Sequence, residues 1–421
     1  MRLTHFLDHS TRLLQEVFQW QGPADVCVSQ YGRSHRGLGS HDRALLADVV
    51  FAVLRNRLRW EALAKHSPWG RWETLALLGA QDQIGAWASE LSSEQVAWLL
   101  GAREPLPADT PLDQRWNLPH WLIERLQAQE GVDVPALAEA LQRPAPVDLR
   151  VNINQTKREA VLRAMQAQGW DVSPTPYSPW GIRMTQRRSL TSTEWFERGD
   201  IEVQDEGSQL LAWLVGAKRS EVIADFCAGA GGKTLAMGAM MRGQGRVYAM
   251  DTSAHRLEAL RPRMLRSGLQ EIYSLAIADE KDARLKPLHH KMNRVLVDAP
   301  CSGLGTVRRS PEIKWRTQPQ DIEQLSIQQA SILESAAKLV RDGGRLVYAT
   351  CSLLKAESER VAEAFGATHK DFVALPMSDL LKPLVKDDLH RASMISEGGL
   401  RLWPHLHGTD GFYAAVWERR R

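Results

Sequence analysis

Two cysteines carry the strongest chemical signal in this chain. Cys301 stands in Val297-Asp298-Ala299-Pro300-Cys301-Ser302, and Cys351 in Tyr348-Ala349-Thr350-Cys351-Ser352. Each follows a short apolar run that reads as a strand, so each thiol would emerge where an α/β sheet presents its reactive groups. A third, Cys227, lies in a glycine-rich loop at another strand end, and the 421 residues hold only four cysteines. A free cysteine is most often a small core residue. Three placements at strand exits, beside Asp, Pro, Ser and Gly, point instead to loop function. The chemistry open to such thiols is nucleophilic.

The glycine-rich loop is the second signal. A strand over 221–226 leads into Gly229-Ala230-Gly231-Gly232-Lys233-Thr234 and then into a Met/Ala-rich helix, the arrangement that brings backbone close to a cofactor. A phosphate-binding loop needs glycine where Cys227 stands, and a dinucleotide fingerprint starting at Gly229 needs glycine where Thr234 stands. The remaining option is S-adenosylmethionine, with Cys227, Ala228, Gly229, Ala230, Gly231, Gly232 and Lys233 passing beneath its methionine portion. Asp251 ends the next strand about 20 residues on, where a carboxylate accepts both ribose hydroxyls. Asp279 ends the third strand, within reach of the adenine amino group, and Asp298 ends the fourth beside the same site. A strand-ending Asp can also be a simple helix cap.

The elements that must position these residues fall into three stretches. Residues 1–142 read as helices, with apolar positions at helical spacing over 44–54 and a Pro-rich loop at 104–111. Most of the fifteen tryptophans suit helix–helix contacts. Residues 143–204 read as a small α+β bridging subdomain. From 205 to 421 strands alternate with helices: strands are expected at 221–226, 246–251, 274–279, 294–298, 345–350, 371–375 and 411–417. Repeated strand–helix units imply a parallel, doubly wound sheet.

Hydrophobic content of 43%, charged content of 24% and a net charge of +3 describe an ordinary globular protein, permitting a nucleic-acid partner without demanding one. No CxxC or Cys/His pair suggests a metal or a disulfide framework. Free thiols fit a reducing cytoplasm. Asp8 and His9 interrupt any apolar leader run, and no run reaches the ~18 apolar residues of a membrane span. A cytoplasmic monomer without metal or membrane is expected.

Taken together, Asp225-Phe-Cys-Ala-Gly-Ala-Gly-Gly-Lys-Thr234, Asp298-Ala-Pro-Cys-Ser302 and Ala349-Thr-Cys-Ser352 resemble the motifs of RNA 5-methylcytosine methyltransferases of the RsmB (Sun/Fmu) and NSUN type. Leu149-Arg-Val-Asn152, Val203-Gln-Asp-Glu-Gly-Ser-Gln209, Arg308-Arg-Ser-Pro-Glu-Ile-Lys-Trp315 and Asp410-Gly-Phe-Tyr413 extend the likeness from residue 149 towards the C-terminus. The resemblance implies a Rossmann-like class I methyltransferase sheet and S-adenosylmethionine as methyl donor. It makes Cys351 the nucleophile that adds to cytosine carbon 6, with Asp298 hydrogen-bonded to the base edge and Cys301 assisting release. Lys233 would lower a neighbouring thiol pKa or orient Asp298. RNA contact is expected from Arg308, Arg309, Lys314 and Arg316 with Trp315 interleaved, and the target base must be unstacked to meet a thiol.

Two departures stand out. The family loop usually reads Cys-Ala-Ala-Pro-Gly-Gly-Lys, whereas Ala230 replaces the proline here, which should loosen the turn. The N-terminal helices, especially 43–64, resemble the NusB-like RNA-binding domain of the bacterial RsmB type, with 75–115 shortened. Ribosomal RNA is the expected substrate. The alternatives are a tRNA-directed enzyme of the same chemistry and a non-catalytic RNA-binding assembly factor; two retained thiols disfavour the latter.

Overall fold

The computed structural model describes residues 1–104, 106–186 and 188–420, so Pro105 of the Pro-rich stretch lies outside the described residues. The chain divides into two compact units: Met1–Pro144 with Thr306–Pro319, and Ala145–Gly305 with Gln320–Arg421. This differs from a simple succession of three pieces. The small sheet shares a unit with the large one, and the segment after the Cys301 loop belongs with the helices.

The helical unit is built around α1 (Leu3–Val17), α2 (Ala24–Ser34), α3 (Ser40–Ala64) and α4 (Arg71–Gly79). In α1, Leu3, Phe6, Leu13, Leu14 and Val17 fall on one face and are buried. They meet Val49, Val50, Val53 and Leu54 of α3 and Leu75 and Leu77 of α4 in one core. Full burial of each such side chain stabilises by about 1.5–3 kcal/mol. Helix α3 kinks at Asn56 (φ −109°, ψ 19°), where the side-chain amide donates to Ala52 O at 3.0 Å, a side chain inserted into the ladder. The Arg59 N–H is turned to Asn117 Oδ1 at 3.2 Å. The Arg55 carbonyl instead accepts Lys314 Nζ at 3.0 Å, and Leu54 O accepts the Trp315 indole N–H at 2.7 Å.

The second unit opens with an antiparallel sheet of β1 (Val147–Val151), β2 (Val172–Pro174), β3 (Gly181–Met184) and β4 (Ile201–Val203), in the order β2-β3-β1-β4. Its buried polar groups are paired: Asp148 takes two hydrogen bonds from Arg183, at 2.7 and 2.9 Å. Asn152 donates to Gly199 O and Ser267 O, both at 3.0 Å, joining the end of β1 to a helix of the larger layer.

That layer contains β5 (Val222–Asp225), β6 (Arg246–Asp251), β7 (Ile272–Ala276), β8 (Met292–Asp298), β9 (Val340–Thr350), β10 (Phe372–Ala374), β11 (Ile395–Ser396), β12 (Gly399–Leu402) and β13 (Phe412–Arg419). Their order is β11-β12-β13-β9-β8-β5-β6-β7, with β10 also on β13. Strands β9, β8, β5, β6 and β7 are parallel, as the alternating pattern implies. Beyond β9 the sheet turns antiparallel: β13 pairs it with Tyr413 opposite Thr350, and β12 follows. Strand β7 closes at Ala276, so Asp279 lies past the strand in an exposed turn rather than at its last residue. Among the described residues no helix is long and apolar enough to cross a membrane.

Burial drives the Lys314 ammonium down to about 7, with the Arg55 charge adding to the effect. Unfolded lysine titrates near 10.4, so between those values the unfolded chain binds more protons and stability rises with pH. Denaturant unfolding between pH 6.5 and pH 9.5 should show that rise, and Lys314→Met should flatten it.

Candidate active site

The chain runs β5, β6, β7 outward on one side, then returns to place β8 on the other side of β5. The reversal opens a crevice at the carboxyl ends of β5 and β8, where doubly wound sheets bind ligands. A cavity of about 630 Å³ lies there, lined by Cys227, Ala228, Gly229, Asp251, Asp279, Asp298, Cys301 and Cys351, with Arg256 and Ile277 beside them. Residues widely separated in sequence thus share one wall. Ala230, Gly231, Gly232 and Lys233 stand just behind it, in the loop and the first turn of helix Gly232–Met240.

Several contacts shape that loop. Asp225, at the end of β5, is buried and accepts the Thr234 hydroxyl at 2.6 Å, which ties strand end to helix start. Burial raises its pKa to about 7. The turn itself uses Gly229 (φ +54°) and Gly231 (φ +79°); a Cβ on Gly231 would lie 2.2 Å from Leu260 Cδ1. Asp251 is oriented by two backbone donors, Gly229 N–H to Oδ2 at 2.7 Å and Ser253 N–H to Oδ1 at 2.8 Å. Each oxygen keeps a lone pair for a ligand hydroxyl.

The missing loop proline has a visible counterpart. Arg263 Nη1 donates to Ala230 O at 2.5 Å, and Glu202 at the middle of β4 holds that guanidinium at 2.9 Å. Arg266 reaches the other oxygen of Glu202 at 2.5 Å. The turn expected to be loose is therefore braced from the small sheet, a role that the lone residues Glu202 and Arg263 did not announce in sequence.

The two thiols meet because β8 and β9 are neighbours in parallel register, Asp298 opposite Ala349. Cys301 Sγ and Cys351 Sγ are 3.2 Å apart, and the Cys351 N–H points at Cys301 Sγ at 3.3 Å. Both are half-buried. The bond to Cys351 and then burial push the Cys301 thiol well up. Cys227 is pushed up by burial and by the surrounding Asp298, Asp225 and Asp251 charges. Lys233 Nζ sits 2.6 Å from Asp298 Oδ2; burial works against its charge, but Asp298 outweighs that and holds its pKa above the usual lysine range. Lys233 thus orients Asp298 and carries its charge in the field of Cys351.

Two glycines let the thiol loops close. Gly305 N–H donates to Cys351 O, and Gly411 N–H to Gly305 O, each at 2.8 Å. A Cβ on Gly305 would lie 2.0 Å from Gly411 O and 2.8 Å from Cys351 O. The Asp410-Gly-Phe-Tyr413 motif therefore acts through backbone proximity. Glu357, Ser302, Ser352 and Gln329 complete the support; Ser302 and Ser352 stand in the cysteine motifs without a role of their own, and nothing in the sequence singles out Glu357 or Gln329.

The expected RNA patch needs correction. Lys314 is fully buried with its ammonium on Arg55 O, and the Trp315 indole is bound to Leu54 O. Arg308 is buried too; its carbonyl accepts Arg55 Nη2 at 3.1 Å and its guanidinium reaches Pro144 O at 3.4 Å. Donors spent on internal carbonyls do not face phosphates. Arg309 is half-buried, and of the five only Arg316 is exposed. Asp279, in its exposed turn, accepts the Lys281 N–H at 2.7 Å, a local cap at the cavity rim.

A doubly wound sheet closed by an antiparallel β13, with its ligand crevice at the β5–β8 reversal, is the class I methyltransferase fold. The model of the 16S rRNA methyltransferase RsmB/F family matches residues 212–418, and that of the RsmF/B-like ferredoxin-like domain matches 118–191. A Bacillus subtilis (strain 168) protein named "Probable ribosomal RNA small subunit methyltransferase B" is 32% identical over 462 residues, covering 100% of both chains. The ribosomal RNA small subunit methyltransferase B of Xylella fastidiosa (strain Temecula1) is 30% identical over 401 residues, covering 89% of each. This chain belongs to the RsmB/F family of rRNA methyltransferases. Among solved structures, PH0851 matches with a TM-score of 0.77 at 24% identity over 98% of both chains. A methyltransferase homolog from Pyrococcus horikoshii matches with a TM-score of 0.61 at 26% identity, covering 73% of this chain and 97% of that one.

Gly231→Ala should cost more than about 1 kcal/mol of stability, because it forces a side chain into a positive φ and against Leu260. Urea unfolding measures the cost, which should be much smaller for Gly37→Ala, where a Cβ meets nothing within 4 Å.

Proposed function

We propose that this protein methylates carbon 5 of a cytosine in small-subunit ribosomal RNA, with S-adenosylmethionine as donor and Cys351 as covalent nucleophile. The observation that carries the reading is the thiol pair at 3.2 Å on the wall that also presents Asp298, Asp251 and Gly229. The residues present suit the donor. Asp251 offers free lone pairs for ribose hydroxyls, Ile277 an apolar surface for adenine, and the Gly229–Gly231 turn a bare backbone for the methionine portion. S-adenosylmethionine, when bound, supplies an electrophilic methyl group on a sulfonium.

Carbon 5 of cytosine is too weakly nucleophilic to take that methyl unaided. The Cys351 thiolate adds to carbon 6, which makes carbon 5 enamine-like. The Thr-Cys-Ser motif assigns the attack to Cys351, and the Lys233 charge lies in the field of that sulfur. Asp298, fixed by Lys233, accepts the N4 amino group at the edge of the base. After transfer a water entering the open cavity accepts the carbon 5 proton, the C–H electron pair restores the carbon 5–carbon 6 double bond, and the pair of the Cys351–carbon 6 bond returns to sulfur. Cys301, in contact with the departing sulfur, assists that expulsion. The base must be flipped or single-stranded to enter such a cavity.

Cys351→Ala should abolish methyl transfer to ribosomal RNA while S-adenosylmethionine binding, read by calorimetry, persists. Cys301→Ala should accumulate a protein–RNA adduct that survives denaturing electrophoresis. Bisulfite sequencing of ribosomal RNA from cells with and without the protein should lose one protected cytosine. Normal turnover by Cys351→Ala overturns the assignment.

A further inference from the structure

Beneath the two thiols lies a carboxylate that no motif reading assigned. Glu357 is fully buried. Its Oε1 accepts the Ser302 N–H at 2.7 Å and Gln329 Nε2 at 3.2 Å. Its Oε2 accepts the Ser302 hydroxyl at 2.6 Å and the Ser352 hydroxyl at 2.5 Å. Ser302 and Ser352 are the residues directly after Cys301 and Cys351. One charge therefore gathers four donors, three of them from the two loops that carry the thiols. Its own backbone is pinned as well, since Glu357 O accepts the Tyr348 hydroxyl at 2.6 Å. Gln329 also donates to Pro300 O at 2.9 Å, so the residue before Cys301 is tied into the same network.

We infer that Glu357 is a positioning residue that fixes the separation and alignment of the Cys301 and Cys351 sulfurs. The inference rests on the roles proposed for those thiols. The strands β8 and β9 bring the loops near each other, but beyond Asp298 and Ala349 no ladder pairing continues. Past that point the loops are coupled through Glu357, which takes three of their donors, and by single contacts: Gly305 to Cys351 O, the Ser302 and Ser352 hydroxyls at 3.3 Å, and the bonds at Cys301 Sγ. A buried carboxylate is costly unless saturated with donors, and the donors here are the flanks of the thiols. Relaxing either loop would leave the charge under-bonded, so the charge resists such movement.

The hydroxyls leave little room for substitution. Ser352 Oγ already accepts the Leu354 N–H at 3.1 Å, and Ser302 Oγ the Leu304 N–H at 3.5 Å. Their protons therefore go to the carboxylate. Glu357→Gln presents its NH₂ either to both serine hydroxyls, which must turn, or to the Ser302 N–H and the Gln329 amide, which lose their acceptor. The shape is kept and the coupling weakened. A misplacement of about 1 Å at a reacting group costs about 100-fold in rate.

The test has one arm that needs neither RNA nor cofactor. In a glutathione redox buffer, the dithiol reacts with glutathione disulfide to give the Cys301–Cys351 disulfide and two glutathione thiols. The position of that equilibrium reports the effective concentration of one sulfur at the other. Glu357→Gln should lower it by about 10-fold, measured by mass spectrometry after alkylation, well below the unfolding temperature. In the second arm, Glu357→Gln should lower kcat for methyl transfer by about 10- to 100-fold with KM for RNA and affinity for S-adenosylmethionine little changed. Should Glu357→Gln not fold, Ser352→Ala leaves the carboxylate three donors and should show the same effects at about 3- to 10-fold.

An unchanged thiol equilibrium in the folded variant overturns the inference, even if stability falls, because the residue would then only stabilise. A shifted thiol equilibrium with wild-type kcat also overturns it. Activity retained by Cys351→Ala would instead defeat the proposed chemistry, and the thiol equilibrium would still judge Glu357 on its own.

Discussion

The parallel pairing of β8 with β9 is the constraint on which this site depends. Each strand ends in a loop bearing a cysteine, and the register sets Asp298 opposite Ala349. From that starting line the two loops can meet within a few residues, bringing sulfurs from remote sequence positions to 3.2 Å. No helix could do this, since helical neighbours are three or four residues apart. The same pairing fixes the other side of the crevice. Strand β8 also borders β5, with Asp225 opposite Leu296, so the thiol wall and the glycine loop share one rigid sheet. A change in sheet register would therefore displace both thiols, Asp298 and the Gly229–Gly231 turn together.

The electrostatics follow from that convergence. Asp225, Asp251 and Asp298 all end strands of the sheet and crowd toward a common edge. A low-dielectric edge holding three carboxylates favours protons on nearby acids and positive charge on nearby bases. Asp225 is consequently raised to about 7, Cys227 is raised well up, and Lys233 keeps its charge against burial. Lys233 is thus the counter-charge to Asp298 beside the thiols. Cys227, in the glycine loop, is raised first by its burial and then by the Asp298, Asp225 and Asp251 charges.

Much of this was legible in sequence for a definite reason. Strand-ending residues sit at predictable corners of a doubly wound sheet, so Asp251, Asp298, Cys301 and Cys351 could be placed from their flanking apolar runs. The parallel strands lie within five residues of the bounds that the pattern implies; β9 starts earlier, at Val340, and β7 ends earlier, at Ala276, because Ala278-Asp279-Glu280 forms a turn. What periodicity cannot reveal is which charged residues turn inward. Glu357 lies in a helical-looking Lys355-Ala-Glu-Ser-Glu run and Glu202 in a short strand, both indistinguishable in pattern from solvated carboxylates. Lys314 and Arg308 failed in the opposite direction: basic residues beside an aromatic look like a phosphate contact, and only the kinked helix that receives them shows otherwise.

That kink explains why a lysine is tolerated in the core of the helical unit. The Arg59 N–H that an unkinked helix would direct at Arg55 O is taken by Asn117, and the Lys314 ammonium bonds that carbonyl in its place. A buried carbonyl without a partner costs about 1–3 kcal/mol. The ammonium satisfies it, and its lowered pKa reduces the charge that must be desolvated. Trp315 fills the adjacent space and caps Leu54 O, with the Arg57 guanidinium over its ring at 5.3 Å. Apolar contacts alone would allow the Thr306–Pro319 segment to slide by a residue or a turn. Two directional bonds to consecutive carbonyls permit one register only.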